Sequence, residues 1–226
     1  MPEKCIDTKA KPFTIYIFAL AFLGIMILST QLSVIVCSEG YGIIAGIALM
    51  LSAIPLHIAA KKFRFLYLLS FLANAAGSGF SVSAVYLVKE IPVSLPGMML
   101  SAIPAAAVLS FIYIMLRVFS KTKKFVLITA AAVNIALAVI AAVCWSEIDA
   151  VFFSFGFFAL LVSLFFLCVF GIAINHDERP VLRDISFGSF GSFIIVTVVV
   201  IIILSEGDFF DFDLGFDGRK KTKNKQ

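Results

Sequence analysis

The chain predicts an all-α polytopic membrane protein with seven transmembrane helices in one bundle, on three observations. Of its 226 residues, 62% are hydrophobic and 14% charged, with mean hydropathy +1.08, whereas a soluble domain carries about 25% charged residues. The apolar residues form seven successive runs, each close to the roughly 20 residues a helix needs to cross a hydrocarbon core about 30 Å thick. The connections alternate between basic and almost free of basic residues, the asymmetry by which bilayers orient proteins.

The runs cover residues 13–36, 41–60, 65–88, 97–119, 125–145, 151–174 and 185–204. They divide the chain into a basic N-terminal stretch (1–12), a seven-helix bundle (13–204) and a tail (205–226). The first run exceeds the roughly 7–15 apolar residues of a signal peptide and ends in no small-x-small cleavage site, so it reads as an uncleaved span. The stretch before it carries Lys4, Lys9 and Lys11. The first connection has Glu39 and no basic residue; the second has Lys61, Lys62 and Arg64. Lys89 in the third is offset by Glu90, the fourth carries Arg117, Lys121, Lys123 and Lys124, and the fifth has Glu147 and Asp149 without a cation. The sixth has Arg179 and Arg183. This order predicts a cytoplasmic N-terminus and an extracytoplasmic C-terminus in the plasma (cytoplasmic) membrane. The late tail cations, Arg219 to Lys225, follow an acidic stretch and lie at the limit of where such charges count.

The second span pairs Gly42 with Gly46, a small-xxx-small spacing that lets helices approach closely. Pro55 interrupts its hydrogen bonding, and Pro104 does the same in the fourth span, so both are candidate helix kinks. They share a hexapeptide: Met50-Leu51-Ser52-Ala53-Ile54-Pro55 recurs as Met99-Leu100-Ser101-Ala102-Ile103-Pro104. That repeat suggests a duplicated hairpin. A competing register relates spans one to three with spans five to seven, through Cys37-Ser38-Glu39 against Cys144-Trp145-Ser146-Glu147. Apolar low complexity also produces such matches by chance.

The third span carries the clearest polar signal. Ser70, Asn74, Ser78 and Ser81 recur at steps of four, four and three and share one helical face. Two readings stand side by side: hydrogen bonds between packed helices, or a polar lining for a neutral or amphiphilic ligand. Asn134 on the fifth span is the candidate counterpart of Asn74. The seventh span opens with Phe187-Gly188-Ser189-Phe190-Gly191-Ser192-Phe193, in which Gly188 and Ser192 repeat the small-xxx-small spacing.

Absences bound the chemistry. No predicted span has Asp, Glu, Lys or Arg near its centre, which argues against proton relays, ion-coupled symport and buried catalytic acids. There is no phosphate-binding Gly-x-x-x-x-Gly-Lys loop and no Cys/His metal spacing, so no cofactor or metal is expected. A Ser–His pair of His57 with Ser78 fails on depth, since the two sit roughly 15 Å apart along the membrane normal and a nucleophile and base need about 3 Å. His57 instead reads as an anchor near the inner interface, and His176, Asp177 and Glu178 as a solvated turn. Cys37 and Cys144 lie at matched depth, where either a disulfide or plain helix packing fits.

In the tail, Phe210, Phe212 and Phe216 alternate with Asp211, Asp213 and Asp217, a period of two that suits a short docking strand for a partner as well as an acidic tail dipping into the interface. The expected function is non-enzymatic handling of a neutral, amphiphilic or lipidic molecule in a transport or channel-like role. The alternative is an accessory, sensor or assembly subunit of a membrane complex. The expected partners are membrane lipids and a membrane-protein partner or second copy, not nucleic acid. An enzyme acting on lipid would need His176, Asp177 and Glu178 as an essential cluster.

Overall fold

The computed structural model describes residues 10–37, 41–119, 122–144, 150–175 and 180–205. They form α1 (Ala10–Val36), α2 (Tyr41–Ala59), α3 (Leu66–Val88), α4 (Leu95–Ser101), α5 (Ile103–Val118), α6 (Lys123–Cys144), α7 (Ala150–Asn175) and α8 (Val181–Ser205). Among the described residues, seven helical segments are long and apolar enough to cross a membrane, with α4 and α5 together making the fourth. The protein is therefore an integral multi-pass membrane protein. Its outward faces carry large apolar side chains such as Leu28, Ile35, Ile58, Phe125, Ile128 and Val143, as lipid-facing surface requires.

Helix α3 is the central element, packed on α1, α2 and α8. Helix α7 forms the second centre and joins α8, α4, α5 and α6. Phe22 of α1 links the two, making edge contacts with Phe71 of α3 at 5.8 Å and Phe166 of α7 at 5.6 Å. Where helices come closest, glycine is required. A Cβ on Gly79 would stand 2.5 Å from the Met26 carbonyl oxygen of α1, and one on Gly46 would stand 2.8 Å from the Gly77 carbonyl oxygen. Hydroxyls tie the same contacts. Thr30 shares its proton between the Met26 and Gly79 carbonyls, at 2.8 and 3.1 Å, and the Ser83 and Ser33 hydroxyl oxygens are 2.6 Å apart.

The two prolines of the repeated hexapeptide behave differently. Residues 97–119 are not one continuous helix, because the chain breaks at Ala102 and restarts as α5 with Pro104 in its first turn. Proline lacks an N–H and collides with the preceding turn inside a helix, but it is well tolerated at a helix start. The break packs on α7, where a Cβ on Gly156 would stand 3.2 Å from the Ser101 carbonyl oxygen. Pro55 lies inside α2, which continues to Ala59. The hexapeptides thus adopt different structures, set by what each packs against.

Helix α3 ends in a Schellman motif. Ile91 N–H donates to the Tyr86 carbonyl at 2.9 Å and Glu90 N–H to the Leu87 carbonyl at 3.4 Å. Glu90 takes φ 51°, the left-handed conformation usually given to glycine. Ser94 then caps α4 by accepting from Gly97 N–H at 3.2 Å. Cys37 and Cys144 are both free thiols. The candidate docking tail (Phe210 to Asp217) and His176, Asp177 and Glu178 lie outside the described residues.

Candidate functional site: a polar seam between α3 and α8

Ser70, Asn74, Ser78 and Ser81 are all buried, at 0–1% exposure, and the face they share meets α8. Ser81 and Thr197 are 3.1 Å apart through their hydroxyl oxygens. Asn74 donates through Nδ2 to Ser189 Oγ at 3.0 Å. Ser186 donates to Ser70 Oγ at 3.2 Å. Ser78 turns back on its own helix and donates to the Asn74 carbonyl at 2.9 Å. The polar stripe is thus a ladder of bonds between two helices. It extends along α3 for about 16 Å at the 1.5 Å rise of a helix.

The α8 half of the ladder was legible in outline only. Ser186, Ser189 and Thr197 also share one helical face by their spacing. The phenylalanine-rich pattern around Ser189 masked that face.

At the end of the ladder nearest the basic connections, His57 of α2 joins the network. Its Nδ1 lies 2.8 Å from Ser186 Oγ. The direction of every bond here follows from elementary donor counting. Ser70 donates to the Ala53 carbonyl at 3.2 Å, since a carbonyl can only accept. Ser186 gives its one proton to Ser70. Nδ1 of His57 must therefore carry the hydrogen and donate to Ser186. Nε2 is left as the ring's uncommitted polar atom. Tyr67 packs edge-on against the imidazole at 5.2 Å and fixes its plane.

His57 lines a cleft of about 200 Å³ with Ala53, Ile54, Ile58, Ser70, Phe187 and Phe190. Apolar and aromatic groups make most of this wall, and His57 and Ser70 provide its polar side chains. Lys61 and Arg183 are close enough to act electrostatically on the imidazole. The serine that His57 meets is Ser186 on α8, while Ser78 bonds the Asn74 carbonyl of its own helix. That serine is fully buried and is not among the residues lining the cleft.

Asn134 does not meet Asn74. It is buried on α6, where Nδ2 donates to Ser163 Oγ of α7. The two asparagines nonetheless repeat one device. Each amide donates to a serine whose own proton goes to the carbonyl three residues earlier, Ser189 to Ser186 at 2.7 Å and Ser163 to Leu160 at 2.9 Å. Each serine can then only accept, so each amide turns Nδ2 rather than Oδ1 toward it, and Asn74 Oδ1 and Asn134 Oδ1 are buried without a partner. Among the described residues, no three His, Cys, Asp or Glu side chains gather into a metal-binding group. Compared with known proteins, the chain matches no family model, no curated protein and no solved structure.

Proposed function

We propose that the protein moves an amphiphilic, lipid-like molecule across the membrane without enzymatic chemistry, along the seam between α3 and α8. The observation that carries this reading is the His57 cleft. It combines an uncommitted Nε2, nearby cations Lys61 and Arg183 and an apolar wall at the foot of a hydroxyl ladder. A polar headgroup enters the cleft from the leaflet at the basic end, which positive-inside logic makes the cytoplasmic one. The imidazole and the neighbouring cations hold it, and its tails stay in the surrounding lipid.

Movement from there requires exchange of hydrogen bonds. Bonds between hydroxyls and amides in membrane helices are worth about 0.6 kcal/mol on average, and up to about 2 kcal/mol. A headgroup offering its own donors and acceptors can therefore replace Ser186–Ser70, Asn74–Ser189 and Ser81–Thr197 one at a time at low cost. Asn74 Oδ1, buried without a donor, is the one acceptor on the path that such a headgroup would satisfy anew. Ser186 is a positioning residue for His57 rather than a nucleophile, because it is fully buried and its proton is committed to Ser70.

The test is transbilayer movement of a head-labelled phospholipid in unilamellar vesicles containing the purified protein. Movement above that of protein-free vesicles, reduced about tenfold in H57A and N74A with the fold retained, is the expected result. Unchanged rates in both variants sink the reading. An accessory or assembly subunit is the second reading, favoured by a second, apolar groove in the bundle.

A further inference from the structure

That groove runs between α6 and α7. It measures about 410 Å³ and is lined by Asn134, Ala138 and Ala142 on its floor, with Ile135, Val139 and Val143 on one wall and Phe157, Leu161 and Leu164 on the other. The floor residues recur every four positions, a small-residue track along which another helix can approach closely. At the mid-helix end of this track sits an amide, 99% buried, whose Oδ1 has no donor.

Depth discriminates between occupants. Asn134 is 11 residues from Lys123 and 10 from Cys144, the ends of α6, or about 15 Å from either end at 1.5 Å per residue. Phospholipids carry their polar groups at the two interfaces, so an acyl chain in the groove offers nothing to this oxygen. A transmembrane helix with a polar side chain at mid-depth does. The inventory of the amide narrows the choice further. One N–H of Nδ2 goes to Ser163. The second N–H and Oδ1 have no partner among the described residues. One donor and one acceptor on a single group are self-complementary, which is what a two-fold contact between identical surfaces requires.

We propose that two copies of this chain associate through α6, each Asn134 donating its second N–H to Oδ1 of the other across a two-fold axis. Terminal amide torsions are broad, so a small rotation brings Oδ1 to the groove floor while Nδ2 stays near Ser163. Ile135, Val139 and Val143, with Ile135 and Val139 more than half exposed in one copy, form the ridge that enters the groove of the second. Burying this ridge excludes lipid from the pair of amides. The groove is lined by α6 and α7 and by none of the residues of the α3–α8 ladder, so the association is independent of the transport reading.

The experiment is single-molecule photobleaching of the labelled protein in lipid bilayers at fixed protein density, with N134L and A142F beside the wild type. Ala142 is exposed on the groove floor, so a phenylalanine there fills the groove without entering the core of the bundle. The expected result is a dimer for the wild type, with its dissociation constant raised about tenfold in N134L by loss of two interhelical hydrogen bonds and at least as much in A142F. Oxidation of V139C, in a background with the native cysteines replaced, should give a cross-linked dimer. A monomeric wild type overturns the proposal, as does a dimer indifferent to A142F. A wild-type monomer that retains a co-purified lipid, with that lipid lost in A142F, assigns the groove to lipid and also overturns it.

Discussion

His57 Nδ1 lies 2.8 Å from Ser186 Oγ, although 129 residues separate them in the chain. The bond joins the last turns of α2 to the first turns of α8 and closes a chain of donors that ends on the Ala53 carbonyl. Removing Ser186 strands two groups, the imidazole N–H and the Ser70 oxygen. S186A is therefore expected to lower stability by about 1–2 kcal/mol, read as a drop in melting temperature in detergent. H57A should melt close to the wild type and lose headgroup capture instead. Equal melting of S186A and the wild type contradicts the contribution assigned to these two bonds.

Asn74 and Ser189 make an asymmetric pair. The wild type already carries an unsatisfied Asn74 Oδ1, so N74A removes a bond and a buried penalty together and should change stability by less than about 1 kcal/mol. S189A leaves both ends of the amide unpaired and should cost more, about 1–2 kcal/mol. Chemical denaturation of the two variants in the same detergent checks the order. N74A melting well below S189A contradicts it.

Close approach of α1 to α3 depends on Gly79. G79A places a methyl 2.5 Å from the Met26 carbonyl oxygen and must push the helices apart, with an expected loss of about 2 kcal/mol or more. Gly24 is the matched control on α1, since a Cβ there meets nothing within 4 Å. G24A should be neutral or stabilising by up to about 1 kcal/mol. Thermal unfolding of both variants distinguishes tight helix contact from general sensitivity to added methyls.

Glu90 holds the left-handed position of the Schellman motif at φ 51°. A residue with a Cβ is strained there by about 1–2 kcal/mol. E90G should relieve the strain and raise the melting temperature, offset in part by the greater freedom of glycine in the unfolded chain. A lower melting temperature in E90G means that the carboxylate contributes something the backbone geometry does not reveal.

The count of spans was legible from the sequence because lipid imposes it. Every run long enough to cross had to be helical, and each one is, the fourth as two helical segments. The break at Ala102 was foreshadowed by Pro104, but Pro55 has the same neighbours and leaves α2 intact. The break packs closely on Gly156 of α7, a long-range contact that no local pattern on α4 reveals. The face shared by Ser70, Asn74, Ser78 and Ser81 was read from spacing alone. Its partner was not, because which helix covers a face is a long-range property. Asn134 was the candidate counterpart of Asn74 as the other intramembrane asparagine, and residue type does not say which helices face each other; Asn134 meets Ser163 of α7 instead. His57 pairs with Ser186 for a similar reason: two residues near the same membrane surface are neighbours only if their helices are.

The central claim, that the seam between α3 and α8 opens to pass a headgroup, is tested most directly by locking it. Ser81 Oγ and Thr197 Oγ1 are 3.1 Å apart, so S81C with T197C, in a background with the native cysteines replaced, positions two thiols to form a disulfide across the seam. Head-labelled phospholipid movement in vesicles is then measured before oxidation, after oxidation and after reduction. The account predicts movement that stops on oxidation and returns on reduction, with the rate of each single-cysteine variant the same before and after oxidation. Movement that continues through the locked seam, or that never exceeds the rate of protein-free vesicles, contradicts it.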